Sequence, residues 1–226
     1  MNNSIFCPDG AQTFFNSEFQ EAYHSKIGPI TESLHKFVKP CESILKRSFS
    51  REVKILDLFF GLGYNSGVAI DFIYNLGTNP NICITAIEKD KNIIEKIREI
   101  TVPEGYIKWK ELLQNLDQRD YIEYEKIKIK LILDDIFNAL KSLENNTYDI
   151  IFFDPFSFKV APQFWTEEFL LSVFKLLSKG GRLTTYSGLK RVEKLATDNG
   201  FNVIRVDAIG RKTHSLCIES CFSVES

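Results

Sequence analysis

Val53-Lys54-Ile55-Leu56-Asp57-Leu58, running into Phe59-Phe60-Gly61-Leu62-Gly63-Tyr64-Asn65, is the stretch that decides the fold. A short apolar run ending in an acid, followed by a turn with two glycines, reads as a strand handing over to a helix. Val68, Ala69, Phe72, Ile73 and Leu76 then fall on one helical face, and Gly77 supplies the stop.

The same alternation continues along the chain. A strand is expected over 82–87, a charged helix over 91–100, a strand over 127–133 and a short helix over 137–143. Tyr148-Asp149-Ile150-Ile151-Phe152-Phe153 is the most continuously apolar strand. A helix over 166–177, closed by Lys179-Gly180-Gly181, leads to a strand over 182–186 and a basic helix over 189–199 that ends at Gly200. Strands over 201–207 and 214–219 close the chain. Repeated strand-helix units with nearly continuous apolar strands imply a parallel sheet covered on both faces. The short last connection demands an antiparallel pair. The expectation is a Rossmann-like α/β fold with a seven-stranded, mostly parallel sheet and one antiparallel strand, the layout of class I S-adenosylmethionine-dependent methyltransferases.

Two segments lie outside the alternation. Residues 1–50 precede the first core strand and are expected to pack on or cover the site, and 51–226 form the Rossmann-like domain. Within that domain, an insertion at about 101–126 holds Pro103-Glu104-Gly105 and an acidic, partly helical stretch.

Composition narrows the function. With 28 Lys+Arg against 30 Asp+Glu, a net charge of -2 and 44% hydrophobic residues, the chain has an ordinary core and no bulk basic charge. That excludes a tail-driven nucleic-acid binder. The five Cys form no C-x-x-C pair and His24, His35 and His214 are scattered, so neither a metal site nor a disulfide framework is expected. His24 and His35 read as structural or surface residues. The first residues lack a cationic and apolar leader, and apolar runs stop well short of the roughly 18 residues of a membrane span, so no membrane role and a cytoplasmic location are expected.

Ligands of open α/β sheets bind beyond the carboxyl ends of the strands. Asp57 ends the first core strand, and Gly61 and Gly63 permit close backbone approach in the turn that includes Phe59 and Asn65. A tight connection alone would explain those glycines. Glu88, ending the second strand 31 residues after Asp57 with Lys89 beside it, adds a carboxylate able to accept both ribose hydroxyls. Asp134 and Asp135 end the third strand, one suited to an adenine amino group and one to a helix cap, with Asp134 the more natural cap. Acids on three strand ends and only two turn glycines favour S-adenosyl-L-methionine over a dinucleotide, whose phosphates are absent here.

Asp154-Pro155-Phe156 ends the fourth strand and resembles the D/N-P-P-Y/F motif of amine methyltransferases, shortened by one Pro. The carboxylate can accept an amine N–H and aim its lone pair, while the ring packs on the acceptor. A nearby carboxylate also favours the protonated amine, which a desolvating wall of Phe156, Phe158 and Trp165 would offset. Tyr186, at the end of the fifth strand, is placed to close over the acceptor. Asp154, Phe156 and Tyr186 are therefore the candidate catalytic residues, with Asp154 also facing the cofactor.

Across nearly the whole chain the sequence resembles the methyltransferase domain of the bifunctional tRNA wobble-uridine family MnmC. The likeness is carried by Asp9-Gly10-Ala11-Gln12-Thr13-Phe14, Ser17-Glu18-Phe19, Tyr23-His24-Ser25, Gly28 and Glu32-Ser33-Leu34-His35. It continues through 57–65 against E-x-G-F-G-T-G-x-N, Phe153-Asp154-Pro155-Phe156 against L-D-G-F, Phe164-Trp165-Thr166 and Gly210-Arg211-Lys212. Asp57 stands for Glu, Phe59 for the first turn Gly and Pro155 for Gly. The resemblance implies methyl transfer from S-adenosyl-L-methionine to the aminomethyl nitrogen of 5-aminomethyl-(2-thio)uridine at the tRNA wobble position. It further implies a stand-alone form without the FAD-dependent oxidase domain, whose aminomethyl substrate a separate enzyme supplies. A polyamine aminopropyltransferase, disfavoured because Ser157-Phe158-Lys159-Val160 lacks further acids, and a catalytically inactive RNA- or partner-binding module are the alternatives.

A tRNA anticodon stem-loop needs local cations. Residues 24–54 hold seven Lys/Arg (26, 36, 39, 46, 47, 51, 54) against three acids, and 182–214 hold seven (182, 190, 191, 194, 205, 211, 212) against three. Trp165, Lys190, Arg191, Lys194, Arg211 and Lys212 are the candidate tRNA contacts.

Overall fold

The computed structural model describes residues 4–47, 52–77, 80–115, 121–210 and 212–221. An antiparallel sheet of β1 (Ser4–Phe6), β2 (Gln12–Asn16) and β3 (Glu21–Ala22) precedes the short helices α1 (Pro29–Ser33) and α2 (Glu42–Arg47). Then come β4 (Val53–Leu58), α3 (Tyr64–Asn75), β5 (Ile82–Glu88), α4 (Ile93–Glu99), α5 (Ile107–Gln114), β6 (Tyr121–Tyr124), β7 (Ile127–Leu133) and α6 (Ile136–Ala139). The chain finishes with β8 (Tyr148–Phe153), α7 (Glu167–Phe174), β9 (Leu177–Thr185), α8 (Lys190–Asp198), β10 (Asn202–Val206) and β11 (Ser215–Glu219).

The main sheet runs β10-β11-β9-β8-β4-β5-β7-β6. Strands β9, β8, β4, β5 and β7 are mutually parallel, and β11 is antiparallel to both its neighbours, as the short last connection requires. The largely apolar β8, whose one charged residue is Asp149, is buried along its whole length beside β4, where a strand covered on both faces belongs. Strand order reverses at β4, so the carboxyl ends of β4 and β8 flank the natural ligand crevice.

The sheet has eight strands rather than the seven expected. The extra one, β6, comes from the insertion and pairs antiparallel with β7 through a turn in which Glu125 adopts φ +51°. The helical part of the insertion, α5, lies on α3: a Cβ at Gly67 would sit 2.3 Å from the Trp109 ring, so glycine is what lets the two helices meet. A second departure concerns Lys179-Gly180-Gly181. The helix ends at Phe174, and the glycines fall inside β9, which begins five residues earlier than expected at Leu177. A Cβ at Gly181 would lie 2.9 Å from the Tyr148 carbonyl, so close strand approach, not helix termination, explains this glycine.

The first fifty residues join the domain through backbone and side-chain bonds. Gln12 exchanges bonds with Thr101, the Tyr64 hydroxyl donates to the Gln12 carbonyl at 2.5 Å, and Arg182 donates to the Pro40 carbonyl at 2.6 Å. Phe37 meets Phe152 of β8 edge-on at 6.1 Å. The three-stranded sheet thereby comes to stand over the carboxyl ends of β4, β5 and β8.

Candidate functional site

The turn after β4 is wound tightly. Phe59, Gly61 and Gly63 all have positive φ (+65°, +53° and +76°), and Gly63 caps α3. Phe59 tolerates that backbone because its ring packs against Phe153, Phe164 and Phe169, at centroid distances of 5.9, 4.6 and 6.4 Å. Gly61 donates its N–H to Glu88 Oε2 at 2.8 Å, tying the turn to the end of β5.

Glu88 is held by three backbone donors, since Lys89 and Asp90 both donate to Oε1 at 2.8 Å. Burial raises its pKa even against those bonds. One of its four lone-pair sites is left for a hydroxyl donor. Asp57 is fully buried behind the turn, where Oδ2 accepts from the Ser66 N–H at 3.2 Å and the Ser66 hydroxyl at 2.5 Å, while Oδ1 has no partner. Burial, reinforced by Asp154 and Glu88 and opposed by Ser66, lifts the Asp57 pKa to about 8.

At the end of β7 the two acids divide their roles in the order opposite to the one expected. Asp135 is the N-cap of α6, its Oδ1 accepting from the Phe137 N–H at 3.0 Å. Among the described residues Asp134 accepts from the adjacent Asp135 N–H, at 2.7 Å, and it does not cap α6, so it is the better placed for an outside donor.

Asp154 follows β8 and is half-buried. Asn65 donates its side-chain amide to Asp154 Oδ2 at 2.9 Å, and Ser33 of α1 donates its hydroxyl to Asn65 Oδ1 at 2.7 Å. Phe156 stacks on Phe19, with centroids 4.3 Å apart and planes 20° from parallel, and Tyr23 approaches it at 5.6 Å. Glu21 accepts from both the backbone N–H and the hydroxyl of Ser157, at 3.2 and 2.6 Å. The first fifty residues thus grip the segment that carries the acid.

Phe59, Gly61, Asn65, Glu88, Lys89, Asp134, Asp135, Asp154, Phe156 and Tyr186 line a single cavity of about 1010 Å³. That volume is at the upper end for small-molecule sites, enough for a nucleoside-sized cofactor with an acceptor. Asp57, Gly63 and Trp165 stand behind its wall. Trp165, expected to face the substrate, is 1% exposed and donates its indole N–H to the Phe156 carbonyl at 2.9 Å; it meets Phe153 and Tyr186 edge-on and supports the rim from beneath. Phe158 is exposed outside the cavity, with the Arg191 guanidinium 3.8 Å above its ring.

Residue-by-residue reading missed the opposite wall. Residues 14–19 and 21–25 and Glu32 line the same cavity, His24 among them. His24, expected to be a structural or surface residue, is a structural one that also lines the cavity: Nδ1 pairs with the Thr13 hydroxyl at 2.9 Å, the ring meets Tyr64 edge-on, and burial lowers its pKa to about 4 against the pull of Glu32 and Asp9. Glu32 is itself paired with buried Lys36 at 2.5 Å; burial would raise its pKa, but Lys36 and the Ser25 N–H outweigh that and lower it. The only sequence signal for this wall is the run of motifs over 9–35.

The described candidate cations do not line the cavity. Lys190, Arg191 and Lys194 are exposed on α8, Lys194 paired with Asp198 at 2.5 Å, and Lys212 is exposed in the last turn. Arg211 falls outside the described residues. Among the described residues no group of His, Cys, Asp and Glu could hold a metal, and no helix is long and apolar enough to cross a membrane.

The site tests well against S-adenosyl-L-methionine. A strand-end acid with a lone pair to spare, a glycine turn wound for close approach and Asp134 lining the same cavity are donors and acceptors that suit an adenosine.

Residues 96–220 match the family model described as S-adenosyl-L-methionine-dependent methyltransferase. An uncharacterized protein of Methanocaldococcus jannaschii is 27% identical over 210 residues, 90% of this chain and 55% of that protein. The tRNA 5-methylaminomethyl-2-thiouridine biosynthesis bifunctional protein MnmC of Campylobacter hominis is 29% identical over 204 residues, 88% of this chain and 30% of its own length. The chain therefore spans about half the length of the first relative and less than a third of the second. The crystal structure of MnmC2 from Aquifex aeolicus superposes with a TM-score of 0.84 at 31% identity, covering 96% of this chain and 70% of that one.

Proposed function

The chain belongs to the S-adenosyl-L-methionine-dependent methyltransferases and carries an MnmC-like methyltransferase domain; from that premise we propose that it methylates the aminomethyl nitrogen of 5-aminomethyl-(2-thio)uridine at the wobble position of tRNA. The observation that carries the reading is the position of Asp154, which shares one cavity with the Gly61 and Glu88 cofactor half while Asn65 holds its carboxylate in a fixed rotation.

Bound S-adenosyl-L-methionine supplies a sulfonium methyl to a nucleophile. Glu88, Asp134 and the Gly61 turn hold the cofactor's nucleoside. Asp154 accepts an N–H of the incoming amine and points the nitrogen lone pair across the cavity. As the nitrogen gains a fourth substituent it becomes cationic, and the fixed carboxylate stabilises that charge. The same carboxylate in the resting site favours the ammonium form, which cannot attack. Phe19, Tyr23, Phe156 and Tyr186 counter it: an aromatic wall penalises the charged amine and promotes loss of its proton to water before attack. The splayed wobble base stacks against the same wall, as single-stranded RNA targets do. The exposed cations of α8 and the last turn hold the anticodon stem, and the reaction takes place in the cytoplasm.

The names of the MnmC relatives support the tRNA substrate. The test is incubation with methyl-labelled S-adenosyl-L-methionine and tRNA bearing 5-aminomethyl-uridine, with and without the 2-thio group, followed by digestion to nucleosides. Label in the 5-methylaminomethyl nucleoside is the expected result. Label in another nucleoside, or in none, removes the reading.

A further inference from the structure

We propose that Ser33, on α1, is a positioning residue for the reaction, acting on Asp154 through Asn65. This rests on the amine-methylation reading above for its kinetic consequence, though not for its geometry. Three elements distant in sequence meet here: Ser33 Oγ lies 2.7 Å from Asn65 Oδ1, and Asn65 Nδ2 lies 2.9 Å from Asp154 Oδ2.

The direction of the chain follows from chemistry. An ionised carboxylate only accepts, so the Asn65 amide must turn its NH₂ toward Asp154 and its carbonyl oxygen away. That oxygen then lies inside the protein, since Asn65 is 5% exposed and Ser33 is 1% exposed. A buried acceptor without a donor is costly, and Ser33 is the donor that meets it. Remove the hydroxyl and the amide loses the anchor on its far side; the Asp154 carboxylate gains torsional freedom at the atom that must aim the amine. Asn65, first read as a cofactor ligand, becomes the connector between α1 and the reacting acid, and the first fifty residues thereby reach past the cavity wall to the acid itself.

The test uses Ser33→Ala and Ser33→Cys. Cysteine keeps the volume but is a weak donor, so a hydrogen-bond role and a packing role part company. Each variant is expected to lower kcat for aminomethyl-tRNA about tenfold, the equivalent of one buried hydrogen bond of roughly 1.4 kcal/mol, with the S-adenosyl-L-methionine Kd by calorimetry within twofold of wild type. In an Asn65→Ala background, Ser33→Ala is expected to change nothing further. A Ser33→Cys enzyme at the wild-type rate, or full additivity with Asn65→Ala, overturns the proposal. A readout free of catalysis is the Asn65 side-chain amide in ¹⁵N spectra, expected to shift and exchange faster in both variants. If wild type transfers no methyl to this tRNA, the functional reading falls by itself, and an unchanged Asn65 amide then overturns the positioning as well.

Discussion

Gly61 gives its backbone N–H to the carboxylate of Glu88 at 2.8 Å, so the glycine turn after β4 and the end of β5 form one unit. Two further N–H groups, from Lys89 and Asp90, fill the other oxygen. In Glu88→Gln one oxygen becomes a donor, and in either orientation it faces at least one N–H. The turn and the proposed ribose acceptor should fail together. Calorimetric titration with S-adenosyl-L-methionine is expected to show a Kd weakened tenfold or more, from a penalty of about 1–3 kcal/mol for the mismatched donor. Unaltered affinity would mean that Glu88 holds the turn without touching the cofactor.

Phe59 inverts a familiar order. Its φ of +65° costs an L-residue roughly 1–2 kcal/mol that glycine does not spend. Its ring is retained by Phe153, Phe164 and Phe169. Phe59→Gly loses the packing and sheds the strain, while Phe59→Ala loses the packing and keeps it. Thermal unfolding should therefore rank wild type above Phe59→Gly and Phe59→Gly above Phe59→Ala, although alanine is elsewhere the more stabilising of the two. Alanine above glycine in Tm would show that the strain at this turn is negligible.

How far the sequence reached differs from element to element. β4, β5, β8 and the acid at each strand end were legible because continuous apolar runs and terminal carboxylates are local signals. β6 was not: its turn is Glu125-Lys126, without the Asn-Gly or Asp-Gly chemistry that marks a hairpin. Asp134 and Asp135 exchanged roles because a cap is settled by one residue of helix register, here the start of α6 at Ile136. Trp165 turned inward because the Phe156 carbonyl offered its indole a partner. The Phe14 to Ser25 wall was invisible to periodicity, since it depends on contacts such as Glu21 with Ser157 that span more than a hundred residues.

Asp57 makes stability depend on pH in an identifiable direction. Its folded pKa of about 8 lies above the ordinary carboxylate value of 3.8. Between those values the folded state binds more protons than the unfolded one, so this group's contribution is largest at low pH and is lost as pH rises toward 8. Asp57→Asn removes the titration. The Tm of wild type minus that of Asp57→Asn should fall steadily from pH 5 to pH 8 and level off above it. A difference that is flat across that interval would place the Asp57 pKa near its ordinary value.

Lys190 and Arg191 test the proposed tRNA surface separately from the chemistry. Both are exposed at the start of α8, and Arg191 reaches Phe158 in the segment that continues from Asp154-Pro155-Phe156. Each cation that neutralises a phosphate releases counterions, so binding weakens with salt at a slope of about 0.7–0.9 per contact. Charge reversal at Lys190 and Arg191 should weaken tRNA binding and reduce that slope by about 1.5, for two lost contacts. Binding of S-adenosyl-L-methionine should not change, because neither residue lines the cavity. Weaker binding with an unchanged slope would indicate that Arg191 acts by bracing Phe158 rather than by meeting phosphate. An unchanged affinity would remove Lys190 and Arg191 from the proposed footprint.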